Sequence, residues 1–163
     1  MLALSHFKKD NLAFGSATST LFQVTYPFEW LITILYWVFV YDPADYSKAS
    51  MFPPTMFLHA FPILFMTIDW VMNSIAFDME RNYWTSLYLG LCYLPVAYFM
   101  KQIVGMHPYP FLNFEDIGTV FWSVGALALD LLLFNVIGTV TNRKHDAVLS
   151  SWFKKDLIEM MSF

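Results

Sequence analysis

Apolar residues are grouped into four windows along the chain, separated by short polar segments. The windows cover residues 21–41, 54–77, 83–104 and 117–140. Each is long enough to cross the roughly 30 Å hydrocarbon core of a bilayer at about 1.5 Å per helical residue. The apolar runs are continuous rather than alternating, which favours helices over strands. The pattern predicts an all-α, polytopic integral membrane protein with four transmembrane helices.

The connections between the windows are short and contain helix breakers such as Pro43, Pro53 and Pro108. No linker or repeat divides the chain, so we predict one transmembrane domain over residues 1–163. A further helix is predicted at residues 147–162, where apolar residues recur at helical spacing and charged residues face away. Asp146 is the predicted N-cap of this amphipathic tail. We expect the tail either to lie in the membrane interface or to dock on a partner protein.

Composition agrees with a membrane location. Of the 163 residues, 58% are hydrophobic and 13% are charged, and the mean hydropathy is +0.50, which is too apolar for an ordinary soluble domain. Most Lys and Arg residues fall on one side of a four-pass topology. Both termini are therefore predicted on the cytoplasmic or matrix side of an organelle membrane, either the endoplasmic reticulum or the mitochondrial inner membrane. Nothing suggests nucleic-acid binding, and Cys92, the single cysteine, excludes an intrachain disulfide.

The candidate intramembrane polar residues in the predicted spans are Glu29, Asp69, Asn73 and Asp130, and no Lys or Arg lies at comparable depth. A lone carboxylate there costs at least ~2.5 kcal/mol, so each is expected to be protonated, hydrogen-bonded or turned toward the protein interior. The three carboxylates form one predicted layer, which serves either as packing hydrogen bonds or as a proton or cation path. We predict no metal site and no cofactor, because Glu-x-x-His pairs are absent and only His59 lies within a span.

His59 lies nearer the opposite membrane face and shares a helical stripe with Asn73. The segment HAFPILFMTID, from His59 to Asp69, is followed one span later by GMHPYPFL. The second segment contains the motif residues Gly105, Tyr109, Pro110, Phe111 and Leu112. Both segments, in this order, are similar to those of the androgen-induced gene product family and, more distantly, of the rolling stone proteins. The resemblance covers residues 21–142.

This resemblance implies a fold of membrane helices. For the characterised mammalian members it also implies hydrolysis of fatty-acid esters of hydroxy fatty acids by an intramembrane threonine nucleophile and a histidine. His59 matches that histidine by position and is the candidate catalytic base. In the family the threonine lies two spans before the histidine-bearing helix, whereas one predicted span precedes His59 here. We therefore expect the segment with the nucleophile to be missing, and the nucleophile is unknown.

Three functions are open at this point. The leading hypothesis is a non-catalytic accessory or structural subunit of a larger membrane protein complex, derived from a lipid-hydrolase family and surrounded by membrane lipids and other membrane subunits. The alternative is a membrane-embedded hydrolase of fatty-acid esters that uses His59 as its base. The third is a component of a proton or cation path through Glu29, Asp69 and Asp130.

Overall fold

The computed structural model describes residues 12–41, 57–105, 109 and 111–161, with side chains described for residues 15–154 of these ranges. Within them the chain is helical and has no strand, which confirms the all-α prediction. The helices are α1 (Leu12–Leu35), α2 (Phe61–Met72), α3 (Met79–Val104) and α4 (Gly118–Met161). A π-helical segment, Tyr36–Val40, continues α1, and residues 57–59 form a helical turn before α2.

The four helices form an antiparallel, up-and-down bundle. In the middle of α1, the Gln23 side-chain carbonyl accepts hydrogen bonds from the backbone N–H of Asp78 (2.6 Å) and the side-chain amide of Asn82 (2.7 Å). The middle of α1 therefore lies beside the start of α3. At the other end of α1, the Thr33 hydroxyl donates to the carbonyl of His59 (3.3 Å), just before α2. One end of the bundle thus carries the 73–78 connection, and the opposite end carries the connection from α3 to α4.

The buried aromatic core lies toward the 73–78 end. Phe22, Tyr26, Phe77 and Phe134 form one buried cluster. The rings of Phe22 and Tyr26 are stacked with centroids 5.5 Å apart, and those of Phe77 and Phe134 are 5.8 Å apart. Burying a large apolar side chain contributes about 1.5–3 kcal/mol. Because Phe77 belongs to the connection itself, this cluster holds the 73–78 segment against α1 and α4.

The first helix begins at Leu12, nine residues before the predicted window at residue 21. Residues 12–20 are mainly small, apolar and hydroxyl residues, which lower the hydropathy of the segment, but they include no proline and so permit a helix. The hydropathy window therefore marked the apolar part of α1, and the described helix includes residues 12–20 as well.

The second helix is shorter than predicted, because it ends at Met72 whereas the predicted span continued to residue 77. The Lys144 ammonium donates to the backbone carbonyls of Trp70, Val71 (3.1 Å) and Asn73 (2.7 Å). These are the carbonyls that a helix end leaves without intrahelical partners, and a cation there also complements the helix dipole. A side chain of α4 therefore caps α2. The beginning of the predicted span, residues 54–56, lies outside the described residues.

Both ends of the third helix are capped by the chain itself. The Asp78 carboxylate accepts a hydrogen bond from the backbone N–H of Arg81 (3.1 Å), as an N-cap should. Gly105 follows the helix in the left-handed region, with φ of 72°, and its N–H donates to the Lys101 carbonyl (2.9 Å). Glycine adopts this conformation without steric cost. The motif residue Gly105 is therefore the C-cap residue of α3.

The fourth helix is continuous over 44 residues, which gives a length of about 66 Å. The predicted break before residue 147 is wrong, since Asp146 lies within α4 and caps nothing. The segment TNRKHD contains neither proline nor glycine, so the backbone hydrogen-bond ladder continues through it. The predicted tail is helical up to Met161, but it is the end of α4 rather than a separate helix.

Two helices in the described part of the chain, Met79–Val104 and Gly118–Lys154, are long and apolar enough to cross a membrane. Only 11% and 17% of their most apolar windows are buried within the bundle. The core helix of a soluble protein would be mostly buried, so these helices present their apolar side chains outward. The structure thus gives two candidate spans where the sequence predicts four.

Candidate functional site

A cavity of about 170 Å³ lies between α1, α3, α4 and the connection that precedes α4. We call it the Asp130 cavity. Its walls are almost entirely apolar, and the polar side chains among its lining residues are Asp130, Ser123, Tyr93 and Tyr109. An apolar cavity with a few polar groups is the usual form of a small-molecule site. The remaining lining residues include Phe28, Leu31, Leu35, Gly90, Leu94 and Leu127.

Asp130 is a buried polar group in the wall of this cavity, with 1% of its surface exposed. Its Oδ2 atom accepts a hydrogen bond from the Ser86 hydroxyl of α3 (2.8 Å). Its Oδ1 atom is also buried and has no hydrogen-bond partner among the described residues. A buried polar atom without a partner destabilises the fold by roughly 1–3 kcal/mol. Half of the Asp130 carboxyl group is therefore satisfied within the protein and half is not.

The close approach of α3 and α4 explains how Ser86 reaches Asp130. A Cβ atom at Gly90 would lie 2.5 Å from a methyl carbon of Leu127, so only glycine allows this spacing without a shift. Small residues at helix contacts are common in membrane proteins for this reason. Gly90 thus leaves room for the Leu127 side chain between the two helices next to the cavity.

Aromatic residues of the connection form one end of the Asp130 cavity. Phe111 stacks on Tyr109 with ring centroids 5.2 Å apart and on Trp122 of α4 at 4.8 Å. Leu112 is buried beside them, with 4% of its surface exposed. Burial, together with the nearby Tyr93 phenol and the Glu29 carboxyl, raises the pKa of Tyr109 to about 12. Tyr109 is therefore neutral at physiological pH and offers a hydroxyl group to the cavity.

Polar contacts hold this connection in place. The Lys101 ammonium forms a salt bridge with Glu115 (2.8 Å) and donates to the carbonyl of Asn113. The Asn113 side-chain amide donates to Asp116 (2.9 Å), and this hydrogen bond lowers the pKa of the Asp116 carboxyl. The motif residues Tyr109, Phe111 and Leu112 all line the cavity, whereas Pro110 lies outside the described residues.

His59 lies away from the Asp130 cavity, between α1 and α2. Its ring stacks on Tyr36 with centroids 3.6 Å apart and an interplanar angle of 4°. Its backbone carbonyl accepts hydrogen bonds from the Thr33 hydroxyl (3.3 Å) and the Trp37 indole N–H (3.4 Å). Its Nδ1 atom is buried and makes no hydrogen bond within the described part of the chain. The contact from Thr33 thus goes to the backbone of His59 and not to its imidazole.

The other predicted polar residues occupy separate positions. Asn73 follows the last residue of α2, and its side-chain oxygen accepts from the N–H of Ile75 (3.2 Å), a local turn that ends the helix. Asp69 lies one turn earlier on α2, and Glu29 lies on α1 near Tyr109. In the described ranges no group of three His, Cys, Asp or Glu residues is arranged to hold a metal ion. Only Asp130 among the carboxylates of the predicted layer is joined to another helix by a hydrogen bond in these ranges.

Sequence reasoning identified Asp130 as an interior carboxyl but missed its partner Ser86. Ser86 and Asn82 lie one turn apart in α3 and are both buried. Two polar residues at this spacing mark one face of a helix, and in an apolar helix that face points to its neighbours. The spacing of Asn82 and Ser86 could therefore have identified this polar face of α3 from the sequence. No family model matches this chain, and no curated protein or solved structure matches it either.

Proposed function

We propose that this protein is a non-catalytic integral membrane subunit that packs against lipids and against other subunits of a membrane protein complex. The observation that carries the proposal is the low burial of the two candidate spans, 11% and 17% of their most apolar windows. Apolar surface of this extent is stable only in lipid or against another apolar surface. The resemblance to the androgen-induced gene product family supports a membrane origin for the fold.

The exposed side chains of α3 are distributed around the helix rather than along one stripe. Large apolar residues with 43–64% of their surface exposed cover an arc of about 240° at 100° per residue and include Trp84, Tyr88, Leu91, Tyr98, Met100 and Val104. A single protein partner would cover one stripe of such a helix, whereas lipid covers every remaining side. We therefore propose that lipid surrounds most of α3.

The C-terminal part of α4 is the proposed contact with a partner subunit. Trp152 and Phe153 expose 68% and 73% of their surfaces, beyond the part of α4 that contacts the 73–78 connection. Aromatic residues are over-represented where protein partners meet. Arg81, Arg143 and Lys144 lie at the same end of the bundle as these residues, which supports placing this end on the cytoplasmic or matrix side of an organelle membrane.

Blue-native electrophoresis after mild detergent extraction from the source membrane, with mass spectrometry of co-migrating proteins, tests the subunit proposal. We expect migration in one large complex with defined companions. Trp152→Glu should release the chain from that complex, while Ser150→Glu, which adds the same charge to an exposed residue one half-turn away, should leave it bound. Migration of the native chain as a monomer or small homo-oligomer would overturn the proposal.

Hydrolysis of a lipid ester is the second candidate function, and the observation that favours it is the unpartnered Nδ1 atom of His59. A neutral imidazole nitrogen without a partner can accept the proton of a hydroxyl nucleophile. Labelling of the folded protein by a fluorophosphonate probe, lost in His59→Ala and retained in His145→Ala, would support this candidate. Under the subunit proposal we expect no labelling of the native chain.

A further inference from the structure

We propose that the Asp130 cavity binds the hydroxyl group of a lipid alcohol, with that hydroxyl hydrogen-bonded to Oδ1 of Asp130 and the hydrocarbon part against the apolar walls. This inference rests on the membrane setting of the proposed function, because the ligand is drawn from lipid, but it does not depend on the absence of catalysis. It assigns a ligand class to a cavity with an unpartnered carboxyl oxygen in its wall.

The chemistry of Oδ1 selects a hydroxyl group. The Ser86 hydroxyl already donates a hydrogen bond to Oδ2 (2.8 Å), so Oδ1 is the carboxyl oxygen that lacks a partner among the described residues. A hydroxyl both donates and accepts hydrogen bonds, so it can pair with Oδ1 whether the carboxyl group is ionised or protonated. Oδ1 is itself buried, so binding requires the Asp130 carboxyl to turn toward the cavity, and the terminal torsion of an aspartate side chain is soft enough to allow this.

The walls select an apolar body. Phe28, Leu31, Leu94 and Leu127 are among the lining residues, and no Lys or Arg is among them. A phosphate or carboxylate ligand would therefore meet no cation and would lie against the Asp130 carboxyl. An alcohol carries no charge into the cavity. In the cavity its hydrocarbon part contacts apolar side chains, just as it contacts apolar lipid chains in the bilayer.

The size of the cavity limits the part of the ligand that it encloses. A cavity of about 150 Å³ accommodates benzene, and the Asp130 cavity has a volume of about 170 Å³. The enclosed part is therefore about seven non-hydrogen atoms, including the hydroxyl oxygen. Tyr93 lies seven residues after Ser86 on α3, which places it roughly 10 Å farther along the helix axis. Tyr93 and Tyr109 thus line the cavity far from Asp130, at the end formed by the connection.

Photolabelling of the purified full chain in lipid nanodiscs tests this proposal. The probe is octanol carrying a diazirine group, and octanol and octane are the competitors, with concentrations expressed as mole fraction of the nanodisc lipid. We expect crosslinks on peptides of α3 and α4 that line the cavity. We also expect octanol to compete at about one tenth of the concentration that octane requires, which corresponds to about 1.4 kcal/mol.

Variants separate the hydrogen bond from the cavity itself. Asp130→Leu should abolish the preference for octanol over octane, and Asp130→Asn, which keeps a donor and an acceptor, should retain it. Asp69→Leu is the matched control, because Asp69 does not line the cavity, and should behave as the native chain. Ala126→Phe should fill the cavity and reduce labelling at least fivefold while leaving Asp130 unchanged.

Two results would overturn the proposal. Equal competition by octanol and octane in the native chain would show that Oδ1 makes no bond with the alcohol. Crosslinks outside the cavity, unaffected by Ala126→Phe, would show that the probe binds elsewhere. Neither result bears on membership of a complex, which is read from native electrophoresis, so failure of this inference is distinguishable from failure of the proposed function.

Discussion

Replacement of Lys144 by methionine tests whether a side chain of α4 determines where α2 ends. Methionine keeps most of the aliphatic stem and removes the ammonium group. The change eliminates the hydrogen bonds to the carbonyls of Trp70, Val71 and Asn73, together with the contact between the ammonium and the Trp70 ring at 4.7 Å. The last carbonyls of α2 would then depend on water for their hydrogen bonds.

The expected loss of stability follows from these contacts. A hydrogen bond from a charged donor contributes about 1.5–3 kcal/mol in favourable cases, and a cation–π contact at an exposed site about 0.5–1 kcal/mol. One ammonium group shares three acceptors here and lies near the surface, so the hydrogen bonds do not add fully. We expect Lys144→Met to lower the free energy of unfolding by about 2–3 kcal/mol, which for a chain of this size corresponds to a fall in Tm of about 5–10 °C.

Thermal unfolding in a mild detergent, followed by tryptophan fluorescence, measures this effect. Arg143→Met is the matched control, because Arg143 is the adjacent cation, is exposed and makes no hydrogen bond or ion pair within the described residues. Both variants change the net charge equally. If the two variants lowered Tm by the same amount, the loss would come from charge alone, and the capping role of Lys144 would be refuted.

Two further predictions concern the connections. The Asn142 side-chain amide accepts a hydrogen bond from the N–H of buried Phe77 (2.7 Å) and donates one to its carbonyl (3.1 Å), and Asn142→Leu removes both. We expect this variant to lower the free energy of unfolding, measured with a chemical denaturant, by about 2–4 kcal/mol. Asn135→Leu, at an exposed residue of the same helix, should lower it by less than about 1 kcal/mol. The Asp116 carboxyl has a pKa lowered from 3.8, mainly by Asn113, so its contribution to stability is present above that value and is lost as pH falls through the lower pKa of the folded chain. An acid titration of intrinsic fluorescence should show this loss, and Asp116→Asn should remove it.

The helical class and the apolar helices followed from hydropathy, because long continuous apolar runs admit few other structures. The ends of the helices did not follow, since distant contacts determine some of them. The end of α2 depends on Lys144, which is more than 70 residues away in the sequence. Asp146 has the local preference of an N-cap, but cooperative extension of α4 outweighs it. Boundaries of this kind are tertiary properties that a sequence window does not contain.

The candidate site was partly predictable for a related reason. A carboxyl group in an apolar run must find a partner or an interior position, and Asp130 is buried inside the bundle. The same argument places Glu29, Asp69 and Asp130 at similar depth, but depth does not determine the direction of a side chain around its helix. The pairing with Ser86 depends on that direction and on the close approach at Gly90. The cavity beside them is a product of packing and has no signature in the sequence.

Because α4 is continuous, it also determines the direction in which its C-terminal side chains leave the helix axis. Trp152 follows Phe134 by 18 residues, which is about five complete turns, so both side chains leave the helix axis in the same direction. Phe134 is fully buried in the aromatic core, while Trp152 exposes 68% of its surface. The stripe of α4 that faces the core therefore continues past the bundle without rotating away. Under the proposed function, a partner that contacts Trp152 would therefore lie on the side of α4 that faces the core at Phe134, and not on the opposite side of the helix.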